Sequence, residues 1–171
     1  KALAFAKPGD FVQAKVAVPA SFTFAAWVKP ARLPTDMAAI CGRKGFHNAL
    51  TIDSRGRYGF YYYNAAKQNF ELNSPKVSGP GDWHHVAGTF DRDSGAVRLY
   101  LDGELQGERK VSGEPFPYSD DFFIGCANPD SAQYAWWFEG AVDEVLVFGR
   151  ALDAAEIKAL ALAAAANGGA S

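Results

Sequence analysis

The stretch from Trp83 to Gly107, WHHVAGTFDRDSGAVRLYLDGELQG, restricts the fold more than any other part of the chain. Along residues 83–90 and again along 97–102, side chains alternate between two sets, the period of two expected of β-strands. Residues 91–95, Asp-Arg-Asp-Ser-Gly, form a short polar loop ending in glycine, which is typical of a hairpin tip. Asp102 and Gly103 predict a second tight turn, since glycine accepts a positive φ. The stretch therefore predicts two half-buried antiparallel strands that continue into a third.

The rest of the chain repeats short strand patterns separated by turns rich in proline, glycine and serine. Strands are predicted in residues 2–18, on either side of a turn at 7–10, and at Phe22–Val28, Met37–Arg43, Asn48–Asp53, Arg57–Asn64, Gln68–Leu72, Phe122–Gly125 and Ala141–Phe148. A loop is predicted from Pro75 to Asp82. No helical period of useful length occurs before Leu152, whereas Asp153 and Glu156 have the spacing of a capping box. The predicted fold class is all-β, a two-sheet antiparallel β-sandwich with a short C-terminal helix.

Composition fits a single packed domain with a substantial core. The chain has 171 residues, of which 49% are hydrophobic and 21% charged. We expect the domain to span residues 1–162 and a tail to follow at 163–171, because Asn167-Gly168-Gly169 would stop the helix. A net charge of −2 favours neither nucleic acid nor an anionic membrane as a partner, and no apolar run is long enough for membrane insertion. No signal peptide is present and Lys1 falls in mid-pattern, so we expect a mature or excised module of a larger protein.

Two further motifs flank the central stretch: FTFAAWVKP at Phe22–Pro30 and FEGAVDEVLVFGRALDAAEIKAL at Phe138–Leu160. In order and spacing, the three motifs resemble the laminin-G-like, concanavalin A-like jelly-roll domains found in secreted and cell-surface proteins. The resemblance extends from Ala2 to about Leu160. It implies a jelly-roll sandwich and an extracellular location. It does not imply one function, because this fold hosts lectins, glycan-binding modules, adhesion domains and glycosidases.

The sequence predicts that the domain is not an enzyme. The glucanase relatives carry a Glu-x-Asp-x-x-Glu motif that places two carboxylates on one strand face, and Glu139, Asp143 and Glu144 do not have that spacing. No nucleophile elbow, phosphate loop or zinc-protease motif is present. His84 and His85 are predicted on opposite faces of a strand, which argues against a transition-metal site.

The resemblance implies a structural Ca²⁺ site at the closing strand. Asp143 alternates with the apolar Val142, so its side chain is expected to leave the core. In the jelly-roll family the matching acid often binds Ca²⁺ with backbone carbonyls of the N-terminal turn and an early loop, which here are near Asp10 and Gly45. Such a set is chemically adequate, because Ca²⁺ takes about 6–8 oxygen ligands, carbonyls included. The alternative is an exposed acid that pairs with a lysine or accepts a loop N–H.

Cys41 and Cys126 each lie where a predicted strand meets a loop. In an extracellular domain, two cysteines favour a disulfide, which would close a long loop and add roughly 2–5 kcal/mol. The alternative is a pair of separate buried thiols that act as small hydrophobic residues.

A surplus of aromatic residues predicts a sugar site. Sugars present C–H faces that stack on tryptophan and tyrosine, and hydroxyl groups that need polar partners. In the strand after Arg57, Tyr58, Phe60 and Tyr62 share one face, so the other face would display two tyrosines beside Gly59, which leaves space above the backbone. The predicted ligand-binding residues are Arg43, His47, Tyr61, Tyr63, Tyr134, Trp136 and Trp137. The alternative is that these aromatics only fill the ends of the sandwich.

Two functions follow from these observations. The first is a non-catalytic carbohydrate-binding, lectin-like module of a secreted or cell-surface protein, with a structural calcium and with a polysaccharide or glycan as partner. The second is an adhesion or scaffolding domain that binds a protein or separates other domains. The two are distinguished by glycan binding that depends on Trp136 or Trp137.

Overall fold

Two antiparallel sheets of six strands each form a β-sandwich, which confirms the predicted fold class. The computed structural model describes residues 2–45, 47–117 and 119–166, with side chains as far as residue 163. The elements in this part of the chain are β1 (Leu3–Phe5), β2 (Val12–Lys15), β3 (Phe22–Pro30), β4 (Met37–Arg43), β5 (Ala49–Asp53), β6 (Arg57–Tyr63), β7 (Asn69–Val77), β8 (His84–Asp91), β9 (Ala96–Leu101), β10 (Glu104–Lys110), β11 (Asp121–Ile124), β12 (Gly140–Phe148) and α1 (Ala154–Ala166). The strand order is β1-β12-β3-β8-β9-β10 in the first sheet and β2-β11-β4-β5-β6-β7 in the second.

The central hairpin forms as its alternation predicts. Strands β8 and β9 pair antiparallel, with Phe90 opposite Val97 and Val86 opposite Leu101. The chain then turns through Asp102 and Gly103, both of which have positive φ, into β10. This hairpin places β8 in the middle of the first sheet, between β3 and β9.

The core between the sheets consists of the inward-facing set of each strand. From β6 it receives Tyr58, Phe60 and Tyr62, all fully buried, as the alternation of that strand predicts. Phe22 and Phe24 of β3 meet Phe60 from the opposite sheet at ring-centroid distances of 6.3 Å each. Because one face of β6 is used in the core, Tyr61 and the residues that alternate with the core set belong to the outer face of the second sheet.

Strand β7 is longer than its sequence pattern predicts. The predicted strand ended at Leu72 and a loop was expected from Pro75, whereas β7 runs from Asn69 to Val77 and includes Pro75. Proline lacks the N–H that a central strand would need, but β7 lies at the edge of its sheet and pairs only with β6. An edge strand has one unpaired side, so Pro75 does not interrupt the ladder.

Helix α1 covers part of the outer face of the first sheet. Leu152 and Ile157 are buried against Ala25, Ala87 and Tyr100 of that face. The predicted capping box is confirmed, because each of Asp153 and Glu156 accepts the other's backbone N–H, at 2.9 and 3.0 Å. The helix runs to Ala166, past residue 163 where the tail was predicted to begin, and the rest of the predicted tail, 167–171, lies outside the described residues together with the predicted helix stop. No helix in the described ranges is long and apolar enough to cross a membrane.

We expect the carboxyl group of Glu156 to remain ionised in acid. Hydrogen bonds from the Arg150 guanidinium, and then from the Asp153 backbone N–H, lower its pKa to about 2. A carboxyl whose pKa is lower in the folded state stabilises the fold at neutral pH. That stabilisation is lost as the pH falls from the ordinary pKa of 4.5 towards about 2. An NMR titration should find the Glu156 midpoint near the lower pKa and a higher midpoint in Arg150→Gln. A wild-type midpoint at the ordinary value would contradict the assigned contacts.

Candidate functional site

The outer face of the second sheet carries a band of polar and aromatic side chains across β5, β6 and β7. Gly59 of β6 lies opposite Thr51 of β5 and Asn73 of β7, and Tyr61 lies opposite Glu71. The space expected above Gly59 is not open. A Cβ atom there would lie 2.6 Å from Thr51 Oγ1 and 2.9 Å from Asn73 Oδ1, so these side chains close over the glycine.

Tyr61, Glu71 and Asn73 form one hydrogen-bonded group on this face. The Asn73 side-chain amide donates to Glu71 Oε1 at 2.7 Å. Tyr61 is only 7% exposed, and burial raises its pKa, with a further increase from its hydrogen bond to Glu71. The phenol is therefore a neutral donor to the Glu71 carboxylate, which keeps acceptor capacity for further hydroxyl groups. Glu71 and Asn73 are not among the site residues predicted from the sequence. Their alternation with the apolar Phe70 and Leu72 would have placed both side chains on the outer face of this strand.

The loop between β11 and β12 brings Trp136 over Tyr61. The centroids of the two rings are 5.9 Å apart, and the Tyr134 ring contacts Trp136 edge-on at 6.5 Å. The loop is fixed to β4 because the Ala39 N–H donates to the Trp136 carbonyl at 2.9 Å. Trp136 has φ of +45°, a left-handed conformation that is rare for a large residue. Strain of this kind concentrates at binding sites, where surrounding contacts hold it in place.

The strain at Trp136 predicts an unusual order of stabilities. Trp136→Gly should be more stable than Trp136→Ala by about 1 kcal/mol, because glycine adopts positive φ without the penalty that a Cβ incurs. Denaturation midpoints in urea would measure the difference. Tyr134 has no such conformation. The matched pair Tyr134→Gly and Tyr134→Ala should therefore show alanine equal to or above glycine. Trp136→Ala more stable than Trp136→Gly would contradict the assigned backbone.

A cavity of about 320 Å³ opens beside Trp136. Trp137 and Met37 line it, and an ion pair closes its rim. Arg32 Nε donates to Glu139 Oε2 at 2.8 Å, and this hydrogen bond lowers the pKa of Glu139. Trp137 faces a different neighbour from Trp136, since its ring lies 6.1 Å from that of Phe11. Both tryptophans belong to the loop, because β12 begins only at Gly140. We call Trp136, Tyr61, Tyr134, Glu71 and this cavity the Trp136 site.

A second cluster lies two residues further along β6. His47 and Tyr63 have ring centroids 4.4 Å apart, and Phe116 contacts Tyr63 at 5.5 Å. Asn48 supports the cluster, because its side chain accepts the Tyr63 N–H and its carbonyl accepts the Arg43 N–H, both at 3.1 Å. Asn48 is fully buried and has φ of +72°, a conformation that asparagine tolerates better than most residues. It is not among the site residues predicted from the sequence. Burial lowers the pKa of His47.

The structure therefore brings most predicted sugar-site residues to one face. Trp136 contacts both Tyr61 and Tyr134, and Trp137 lines the same cavity as Trp136. His47 and Tyr63 form the adjacent cluster, roughly 7 Å along the strand. Arg43 ends β4 beside that cluster but is only 6% exposed, so it offers little surface to a ligand.

The predicted calcium ligands come from three different parts of the fold. Asp143 lies in β12 of the first sheet and accepts the Glu144 N–H at 2.9 Å. Asp10 accepts the Ala6 and Lys7 N–H groups at 2.8 and 3.1 Å. Gly45 follows β4 of the second sheet. In the described ranges, no three acidic, histidine or cysteine side chains are grouped to hold a metal ion. The predicted set uses backbone carbonyls as well as carboxylates, so it does not require such a group of side chains, and a Ca²⁺ site at Asp143, Asp10 and Gly45 stays a prediction.

Cys41 and Cys126 are free thiols in the structure, so the predicted disulfide is not formed and the alternative of two buried thiols describes them. The register explains the separation, because Cys41 lies opposite Ile124, whereas Cys126 follows the end of β11. Burial raises the pKa of each thiol to about 12, which disfavours thiolate chemistry.

The two six-stranded sheets define a jelly-roll domain. The chain belongs to the concanavalin A-like lectin/glucanases superfamily, whose Laminin_G_3 family model matches residues 9–158. No curated protein sequence is significantly similar to the chain.

Solved structures with low sequence identity share this fold. A heptameric SAP-like pentraxin from Limulus polyphemus has a TM-score of 0.70 and 15% identity, covering 92% of this chain and 80% of that one. The CBM40 domain of the Ruminococcus gnavus IT-sialidase, bound to α2,3-sialyllactose, has a TM-score of 0.69 and 19% identity, covering 84% of each chain. A Bacteroides ovatus protein provisionally named as carbohydrate-binding has a TM-score of 0.71 and 24% identity, covering 91% of this chain and 47% of that one.

Proposed function

We propose that the domain is a non-catalytic carbohydrate-binding module of a secreted or cell-surface protein, and that the Trp136 site holds the glycan. The observation that carries the proposal is the strained Trp136, whose ring lies over Tyr61 beside a cavity of about 320 Å³. Backbone strain must be maintained by surrounding contacts. Its presence at an aromatic beside a cavity supports a binding role.

The chemistry of the Trp136 site suits a sugar. Tyr134 is 43% exposed and stands at right angles to Trp136, so the two rings offer apolar surfaces in two directions. The Glu71 carboxylate and the Asn73 amide lie next to these rings and supply hydrogen-bonding groups fixed by their own contact. Rigid aromatic rings combined with fixed polar groups match a ligand with C–H faces and hydroxyl edges.

The comparisons support the same class of function. The CBM40 domain is a carbohydrate-binding module crystallised with a sialylated sugar, and it shares the fold of this chain. The family also includes glucanases, but the paired acids of that motif are missing from the sequence. We accordingly propose a module that attaches a larger protein to glycan and leaves catalysis to other domains. A structural Ca²⁺ remains part of the proposal, with Asp143, Asp10 and Gly45 as its proposed ligands.

A glycan array tests the proposal when it is run in Ca²⁺ and again in EDTA. Saturable binding to a defined glycan is the expected result. Binding that survives EDTA would mean that no metal is needed at the sugar contact, whereas binding lost in EDTA would place Ca²⁺ at or beneath the site. A blank array in Ca²⁺, with the domain shown to be folded by circular dichroism, would overturn the proposal in favour of an adhesion or scaffolding role.

A further inference from the structure

We infer that the Trp136 site selects uncharged glycans and rejects sugars that carry a carboxylate. This inference rests on the proposed function and names the ligand class of the same site. It is carried by the two acids that border the site, Glu71 on β7 and Asp36 before β4, and by the way the neighbouring arginines are already paired.

The acids lie against the aromatic floor of the site. Glu71 is hydrogen-bonded to Tyr61, over which Trp136 lies. Asp36 lines the cavity beside Trp136. Its charge also acts on the Tyr61 phenol in the same direction as that of Glu71, since both raise the Tyr61 pKa. A ligand stacked on the Trp136 ring therefore lies near two negative charges.

The cations of this region are engaged by other acids. Arg32, at the cavity rim, is bound to Glu139 by two guanidinium nitrogens. Arg57 is bound to Asp53 through Nε and Nη2, both at 2.7 Å. Such paired arginines present little net positive field to an incoming anion. Arg43, which is only 6% exposed, offsets one of the two acids Glu71 and Asp36, so the surroundings of the site keep an excess of one negative charge.

The excess of negative charge around the site discriminates between neutral and carboxylated sugars. Hydroxyl groups of a neutral sugar can donate to the carboxylate oxygens of Glu71, and hydrogen bonds to charged acceptors are strong. A sialic or uronic acid would bring its own carboxylate next to Glu71 and Asp36. Like charges placed together in an interface disfavour the wrong partner. The site therefore accepts hydroxyl donors and excludes carboxylated sugars.

The test compares matched ligands that differ in their carboxylates: lactose with 3′-sialyllactose, and methyl-esterified polygalacturonate with polygalacturonate. Any neutral glycan that binds should bind at least tenfold more tightly than its carboxylated partner. In Glu71→Gln combined with Asp36→Asn, this ratio should fall about tenfold, because the negative charges are gone and the side-chain shapes remain. Glu104→Gln, an exposed acid on β10 of the first sheet, is the control and should leave the ratio unchanged.

The outcomes separate the two claims. Equal or tighter binding of the carboxylated ligands by the wild-type domain would overturn the inference while leaving the proposed function intact. A ratio that is unaffected by the double substitution would also overturn it. Absence of binding to every neutral and acidic ligand, with the domain folded, would overturn the proposed function and the inference with it.

Discussion

Replacing Gly88 with alanine is expected to lower the free energy of unfolding by about 3 kcal/mol. Gly88 lies in β8 with its missing side chain directed at Phe60 of the opposite sheet. A Cβ atom would lie 2.3 Å from Phe60 Cδ2 and 2.4 Å from Cγ, far inside contact distance. Neither partner can retreat, because β8 is held between β3 and β9, and the Phe60 ring packs against the stacked rings of Phe22 and Phe24. Urea denaturation should show a lower midpoint with an unchanged slope.

Two further variants make this test specific. Gly79→Ala is the matched control, because no heavy atom lies within 4 Å of a Cβ placed there and its φ is not positive. It should change stability by less than about 0.5 kcal/mol. Phe60→Ala alone should cost about 3–5 kcal/mol, and adding Gly88→Ala to it should cost little more, since the ring that causes the clash is gone. A Gly88→Ala variant as stable as Gly79→Ala would contradict the packing of the two sheets.

Replacing Trp136 with alanine is expected to weaken glycan binding by about 2 kcal/mol, roughly 30-fold. The ring supplies the apolar surface between Tyr61 and Tyr134, and a tryptophan at the centre of an aromatic contact is a typical energetic hot spot. Tyr134→Ala should have a smaller effect, because this ring stands at the margin of the site. Isothermal titration calorimetry with the glycan identified on the array would measure both.

The control for this experiment is the same substitution on the opposite side of the sandwich. Trp27 lies on β3 of the first sheet, where its ring contacts His85 at 5.7 Å. Trp27→Ala should leave the glycan Kd unchanged even though it removes a half-buried ring. If Trp27→Ala weakened binding as much as Trp136→Ala, the loss would reflect general destabilisation and the assignment of the site would be wrong.

Sequence predicted the fold well because the strand signal is local. The alternation in 83–101 defines which face of each strand is buried, and pairing between β8 and β9 follows from one short turn. The capping box of Asp153 and Glu156 is equally local and was found from three-residue spacing. The tyrosines of β6 divided as their alternation predicts, with Tyr62 in the core and Tyr61 on the outer face.

The Trp136 site depends on contacts between distant segments. The sequence predicts which residue types could form such a site, but not how they are arranged. Trp136 lies beside Tyr61 because its backbone carbonyl accepts a hydrogen bond from the Ala39 N–H. No local sequence pattern predicts this contact. The predicted Ca²⁺ ligands also belong to distant segments, because Asp143 lies in β12 of the first sheet and Gly45 follows β4 of the second. Their sharing of one ion stays a prediction. The sequence predicts a loop at Pro75 because proline is tolerated in a strand mainly at a sheet edge. Which strand lies at the edge depends on the topology and cannot be read from the local sequence.

The most direct test of the Trp136 site is an NMR titration that follows the indole N–H signals of the four tryptophans, assigned from single Trp→Phe variants. The chain places Trp136 and Trp137 at the cavity, Trp27 on the first sheet and Trp83 just before β8. As the glycan is added, the signals of Trp136 and Trp137 should shift with saturation while those of Trp27 and Trp83 stay in place. Shifts confined to Trp27 or Trp83, with Trp136 unchanged at saturating glycan, would contradict the account.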